Sequence, residues 1–364
     1  MMVRTGPRCK GRLLLLAFLS AGLAATLSAQ DWPQWGCGPA HAGSTPALAQ
    51  PLEAILADVV YDPFVDAEKA EGNGELFVHY AVPLVEGGDV YMTFKTGSYI
   101  SCVPPGSGEP VPCGRAAWDT QIWNVKRLSW VNRELREVWT FQSDWKPEPS
   151  SLAVWEPVFL PVLAGGSLYV PGLGGTVFRV SKATGSRLER INPFPEIDPA
   201  RFVAGGLAAG PDGSVVYNVV GLGPGADSSD VTGAWLVRVA ADGTPSVAPF
   251  SALVTGAPAA ADLCEGTFMD NELPWPPSPG AVAAPSPCGS QRPGLNVVPG
   301  IAPDGTIYTV SRAHFNERYG YLVAVRSDLT AAWAASLRGV LADGCDVTIP
   351  PSGTPGGCRG GATP

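Results

Sequence analysis

The chain has 364 residues, 45% hydrophobic and 16% charged, with a mean hydropathy of +0.11; that suits a sizeable core and excludes a disordered chain. The formal net charge is −9, and an acidic surface repels phosphate backbones, which disfavours nucleic-acid binding. The 44 glycines and 37 prolines make up about 22% of the residues, against roughly 12% in ordinary globular chains. Helix breakers at that density favour many short strands joined by turns, an all-β class.

Residues 1–30 open with the basic set Arg4, Arg8, Lys10 and Arg12, followed by LLLLAFLSAGLAATL and Ser28-Ala29-Gln30. This is the layout of a secretory signal peptide cleaved near Ala29 or Gln30. The apolar run is shorter than the roughly 20 residues that span a bilayer, and no later stretch is long enough for a transmembrane segment. The expected location is secreted or periplasmic. Without residues 1–30 the chain has 20 Lys+Arg against 33 Asp+Glu, a net −13.

Seven cysteines follow Cys9, and an oxidising compartment makes disulfides the default. Three pairs lie close in sequence, each in a Gly/Pro-rich stretch: Cys102 with Cys113, Cys264 with Cys288, and Cys345 with Cys358. Cys37 is left over. Spacing alone does not fix the connectivity.

A strand-turn-strand unit recurs along the chain. Its clearest copy is PVLAGGSLYVPGLGGTVFRVSKATGSRLERI, Pro161 to Ile191. Gly165-Gly166, Gly174-Gly175 and Ala183-Thr184-Gly185 read as turns between strands rich in β-branched and aromatic residues. Related copies run over Val82–Gly97, Leu207–Val220 and Ile301–Arg312. Each places a tyrosine shortly after a glycine turn: Tyr91, Tyr169, Tyr217 and Tyr308, spaced by 78, 48 and 91 residues. Four-stranded units of this size arranged radially form a β-propeller. Four blades are expected, roughly 82–142, 155–192, 203–250 and 297–337, with loop insertions at 98–123 and 262–295. LEAILADVVYDPF, near the start, reads as an extra strand.

The units resemble those of the quinoprotein-like, or pyrroloquinoline-quinone-type, β-propeller superfamily. Ala183-Thr184-Gly185 matches part of its A-x-T-G-x-x-x-W turn, without the tryptophan, and Asp31-Trp32-Pro33-Gln34-Trp35-Gly36 is similar to the opening of secreted members. The resemblance implies rings of seven or eight blades, so four blades suggest an incomplete ring in a C-terminally truncated chain. It also implies, for catalytic members, pyrroloquinoline quinone held with calcium, an Asp general base and often a disulfide between adjacent cysteines. No adjacent cysteine pair occurs here and no carboxylate falls on a matching motif. No catalytic or metal-binding residue is therefore assigned.

Other constellations are weak. His41, His79 and His314 are far apart in sequence, and isolated histidines are the plainer reading. Asp262, Glu265, Asp270, Asn271 and Glu272 supply oxygen ligands without the spacing of a calcium loop. Trp118, Trp123, Trp130, Trp139, Trp145 and Trp155 crowd one region, with Trp275 among prolines; packing between blades competes with exposed aromatics that stack on sugars. Asp212-Gly213 and Asp304-Gly305 read as hairpin turns, and Gly221, Gly223 and Gly225 open no helix and precede no lysine. The expected function is a non-catalytic binding or scaffold module for a protein or glycan partner. The alternatives are a quinone- and calcium-dependent dehydrogenase and a carbohydrate-binding propeller.

Overall fold

Glycine pairs that accept positive φ, set between β-branched and aromatic runs, produce antiparallel hairpins throughout the chain. The computed structural model describes residues 31–45, 53–71, 82–101, 119–147, 158–223, 230–264, 285–315 and 319–337. A short helix, α1 (Val65–Glu71), precedes the first sheet, formed by β1 (Leu84–Glu86), β2 (Asp89–Gly97), β3 (Gln121–Val131) and β4 (Glu134–Gln142). The second contains β5 (Val162–Ala164), β6 (Ser167–Pro171), β7 (Val177–Ser181) and β8 (Arg187–Ile191).

The third sheet contains β9 (Arg201–Val203), β10 (Ala208–Ala209), β11 (Val215–Gly221), β12 (Gly233–Val239) and β13 (Pro245–Pro249). A helical turn, Phe250–Leu253, and the small pair β14 (Leu263–Cys264) and β15 (Ser286–Pro287) follow it. The fourth contains β16 (Gln291–Pro293), β17 (Gly300–Ile301), β18 (Ile307–Ala313), β19 (Gly320–Val325) and β20 (Ala331–Ser336). Each sheet meanders antiparallel in chain order, which is the blade plan of a β-propeller.

In blades 3 and 4 the innermost position is divided. β9 and β10 both pair with β11, and β16 and β17 both pair with β18. The residues between the halves turn inward and meet. Leu207 N–H donates to the Leu160 carbonyl at 3.2 Å, and Val158 N–H donates to Asn296 Oδ1 at 3.1 Å. Gly205, with φ +99°, lies so close to Val297 that a Cβ would collide with its carbonyl.

One apolar cluster joins blades 1, 2 and 3 through Tyr91, Trp139, Phe141, Phe178 and Tyr217. A second joins blades 3 and 4 through Leu236, Phe250, Ile307 and Val323. Burying this much branched and aromatic surface, at about 25 cal/mol per Å², is the main force holding the blades together.

Residues 53–60 depart from the sequence reading. They belong to no strand, and Ile55, Leu56 and Val60 are exposed. A strand requires a neighbouring edge to pair with, and among the described residues this segment has none.

Candidate functional site

A four-stranded antiparallel blade places its connections alternately at two ends. At one end lie the tight hairpins around Gly87-Gly88, Asn132-Arg133, Gly165-Gly166, 182–186, 210–214, 240–244, 302–306 and 326–330. At the other end lie 172–176, 192–200 and the described ends of the longer connections, 98–101, 119–120, 143–147, 158–161, 222–223, 230–232, 250–264, 285–290 and 314–315. These are the turn end and the loop end. Long connections carry adaptable binding residues on a rigid scaffold, so the loop end is the candidate site.

The turn end is built from a repeated local device. In blades 3 and 4 the side chains of Asp212, Asp242, Asp304 and Asp328 each accept the N–H two residues on, from Ser214, Thr244, Thr306 and Thr330. This is the Asx turn. The hydrogen bonds hold the carboxyls of Asp242, Asp304 and Asp328 below the ordinary value. At Asp212 burial pushes the other way, but the Ser214 hydroxyl and N–H and the Arg238 guanidinium outweigh it. Asp212-Gly213 and Asp304-Gly305 therefore act as turns.

The same end is crossed by residues Asp31–Gly43, which run as a strap over the innermost strands. Trp32 and Val85 of β1 exchange backbone hydrogen bonds at 2.7 and 2.9 Å. Leu163 N–H of β5 donates to the Pro33 carbonyl at 2.9 Å, and Ile301 N–H of β17 to the Pro39 carbonyl at 2.7 Å. Gln34, only 1% exposed, bonds both backbone groups of Ala209 in β10. The strap closes on itself through Gly43 N–H to the Gly36 carbonyl, 3.0 Å.

Toward the loop end, blades 3 and 4 face each other across a buried polar layer. Asn218 Nδ2 donates to the Val297 carbonyl and Thr309 Oγ1, each at 3.4 Å. Ser311 Oγ donates to Gln291 Oε1 at 2.8 Å. Asn218 Oδ1 and Gln291 Nε2 are buried without a partner. Blade 1 has a similar place: Trp145 packs between Trp123, at 5.2 Å, and Phe159, at 5.1 Å. There Trp145 Nε1 and Gln121 Oε1 also lack partners.

Ion pairs and stacked cations line the rest of this end. Lys95 and Asp62 form a buried pair at 2.6 Å, Arg190 holds Asp144 at 2.7 Å, and Arg201 stacks on Phe194 at 4.6 Å. Asp230 accepts from the N–H and hydroxyl of Ser290, beside the disulfide that joins Cys264 to Cys288.

The residues singled out from sequence are scattered. His41 lies in the strap, edge-on to Trp35 at 5.2 Å, and burial holds its imidazole below the ordinary value. His314 lies at the loop end, where its Nδ1 accepts from Arg292 Nε at 3.0 Å. The two are not brought together. Trp123, Trp139 and Trp145 are buried between strands, whereas Trp130 is 40% exposed. Cys37 is a free thiol in the strap. Asp262 accepts from Ala259 N–H at 2.8 Å. Cys102, Cys113, Cys345, Cys358, His79, Trp118, Trp155, Trp275, Glu265, Asp270, Asn271, Glu272 and residues 1–30 lie outside the described residues. No local sequence pattern announces the strap contacts of Gln34 or the Asn218–Gln291 layer.

A quinone held with calcium requires converging oxygen ligands and a basic carboxylate. Among the described residues no group of three His, Cys, Asp or Glu side chains is placed to hold a metal.

No protein-family profile and no curated protein matches the sequence. Among solved structures, a europium-containing methanol dehydrogenase is similar at 16% identity and a TM-score of 0.38, over 73% of this chain and 42% of that one. The quinohemoprotein alcohol dehydrogenase from Comamonas testosteroni is similar at 13% identity and 0.40, over 86% of this chain and 42% of that one. A protein of unknown function from Dyadobacter fermentans is similar at 11% and 0.36, over 69% and 66%. The chain spans less than half the length of either dehydrogenase. Likeness at this level carries no assignment of activity; the sheets themselves establish that the chain is an all-β protein of the β-propeller type.

Proposed function

We propose that the chain is an exported β-propeller that acts as a non-catalytic binding or scaffold module, with its loop end as the binding surface. The supporting observation is the exposed apolar side chains on the loop end's connections: Ile197 on 192–200 and Phe315 just after β18, each 42% exposed. Exposed apolar groups on a rigid scaffold suit recognition of a partner. The opposite end, crossed by the strap, offers tight turns and little adaptable surface. The partner is a protein or a glycan, and the exposed Phe315 beside His314 provides an apolar ring of the kind both classes stack on.

The competing reading, raised by the superfamily resemblance alone, is a pyrroloquinoline-quinone- and calcium-dependent dehydrogenase. Titration of the exported chain with the quinone and Ca²⁺, followed by tryptophan emission, separates the two. Unchanged emission and no oxidation of alcohols is the expected result. Saturable quenching that requires both additives overturns the non-catalytic reading. A glycan array then distinguishes the partners: specific hits indicate a carbohydrate-binding propeller, and an empty array a protein partner.

A further inference from the structure

Each blade's innermost strand is a sheet edge, with backbone groups that no sheet neighbour satisfies. The strap supplies partners to all four: Val85 in blade 1, Leu163 in blade 2, Ala209 in blade 3 and Ile301 in blade 4. Three of these contacts come from three consecutive residues, Trp32, Pro33 and Gln34, and the fourth from Pro39. The residues between are shaped by their own bonds. Cys37 N–H donates to the Gln34 carbonyl, His41 N–H to the Gly38 carbonyl, and Gly43 N–H to the Gly36 carbonyl. Gly36, Cys37, His41 and Gly43 all have positive φ, so the loop is held in a backbone conformation that few sequences adopt.

From this geometry we infer that residues 31–43 are a clasp: a single element that docks and releases as a unit and couples the four blades at their inner edges. A β-propeller needs some contact that fastens blades not adjacent in sequence. The two apolar clusters fasten neighbours, blades 1 to 3 and blades 3 to 4. The strap reaches from blade 1 to blade 4 directly. Its internal hydrogen bonds make partial release costly, because loss of one blade contact strains the loop that positions the others.

Amide hydrogen exchange of the full chain tests this. The N–H groups of Val85, Leu163, Ala209 and Ile301 sit in four blades and donate to the strap. They are expected to exchange through one shared opening. In Gln34→Ala, which removes bonds to Ala209 alone, all four are expected to speed up by a common factor of about thirtyfold. Acceleration confined to Ala209, or four unrelated rates in the unaltered chain, would overturn the clasp. Where the variant does not fold, the rates of the unaltered chain decide.

Discussion

Gln34 and Ala209, 175 residues apart in sequence, bond as adjacent β-strands do. Gln34 Oε1 accepts the Ala209 N–H at 2.8 Å, and Gln34 Nε2 donates to the Ala209 carbonyl at 3.2 Å. A side-chain carboxamide thus stands in for a peptide group at the inner edge of blade 3. Both bonds are buried, so truncation leaves a donor and an acceptor unsatisfied. Gln34→Ala is expected to cost about 2 kcal/mol, read as a lowered urea midpoint with unchanged slope. Gln34→Glu is expected to cost more, since a carboxylate cannot donate to the Ala209 carbonyl.

The strap's glycines differ in a measurable way. At Gly36, φ +70°, a Cβ would sit 2.7 Å from His41 Cα, whereas at Gly43, φ +62°, it would meet nothing within 4 Å. Gly43→Ala should cost about 1 kcal/mol, the strain of the left-handed region alone. Gly36→Ala adds a backbone clash and should cost about 3 kcal/mol or more. Equal thermal shifts for the two variants would contradict this packing.

The Asx turns predict an acid limit to stability. Asp242, Asp304 and Asp328 have pKa values lowered by hydrogen bonds from the threonines two residues on. A carboxyl with a lowered folded pKa stabilises fully above its unfolded value, 3.8, and that stabilisation is lost as pH falls through the folded value. Urea midpoints should therefore hold near neutrality and drop below about pH 4. Replacing Asp304 and Asp328 by Asn, which keeps the acceptor oxygen but removes the charge, should flatten that drop and lower the midpoint at pH 7 by the corresponding amount.

The Cys264–Cys288 disulfide closes a sequence separation of 24 residues, for which loop-closure entropy gives about 3 kcal/mol. Cys264→Ser with Cys288→Ser should lower the melting temperature by that equivalent. Reductant should lower it less in the double variant than in the unaltered chain, and an equal drop in both would contradict this contribution.

What the sequence determined by itself is what depends on near neighbours. Gly165-Gly166 and Gly213 turn the chain because positive φ suits residues without a Cβ. Asp212 and Asp304 cap turns whose acceptor and donor lie two residues apart. The all-β class follows from the same local chemistry, repeated. The free segment 53–60 shows the limit: its apolar, β-branched run reads as a strand, yet pairing requires an edge that composition cannot supply.

Only the tertiary structure decided which residues meet. Nothing near Gln34 in sequence announces Ala209, and nothing near Asn218 announces Thr309, 91 residues on. The division into a turn end and a loop end is likewise tertiary. It arises because every blade is laid down in the same direction, so connections of like kind collect at one end. A contact set by the stacking of blades depends on the path of the whole chain, and local pattern holds no record of it.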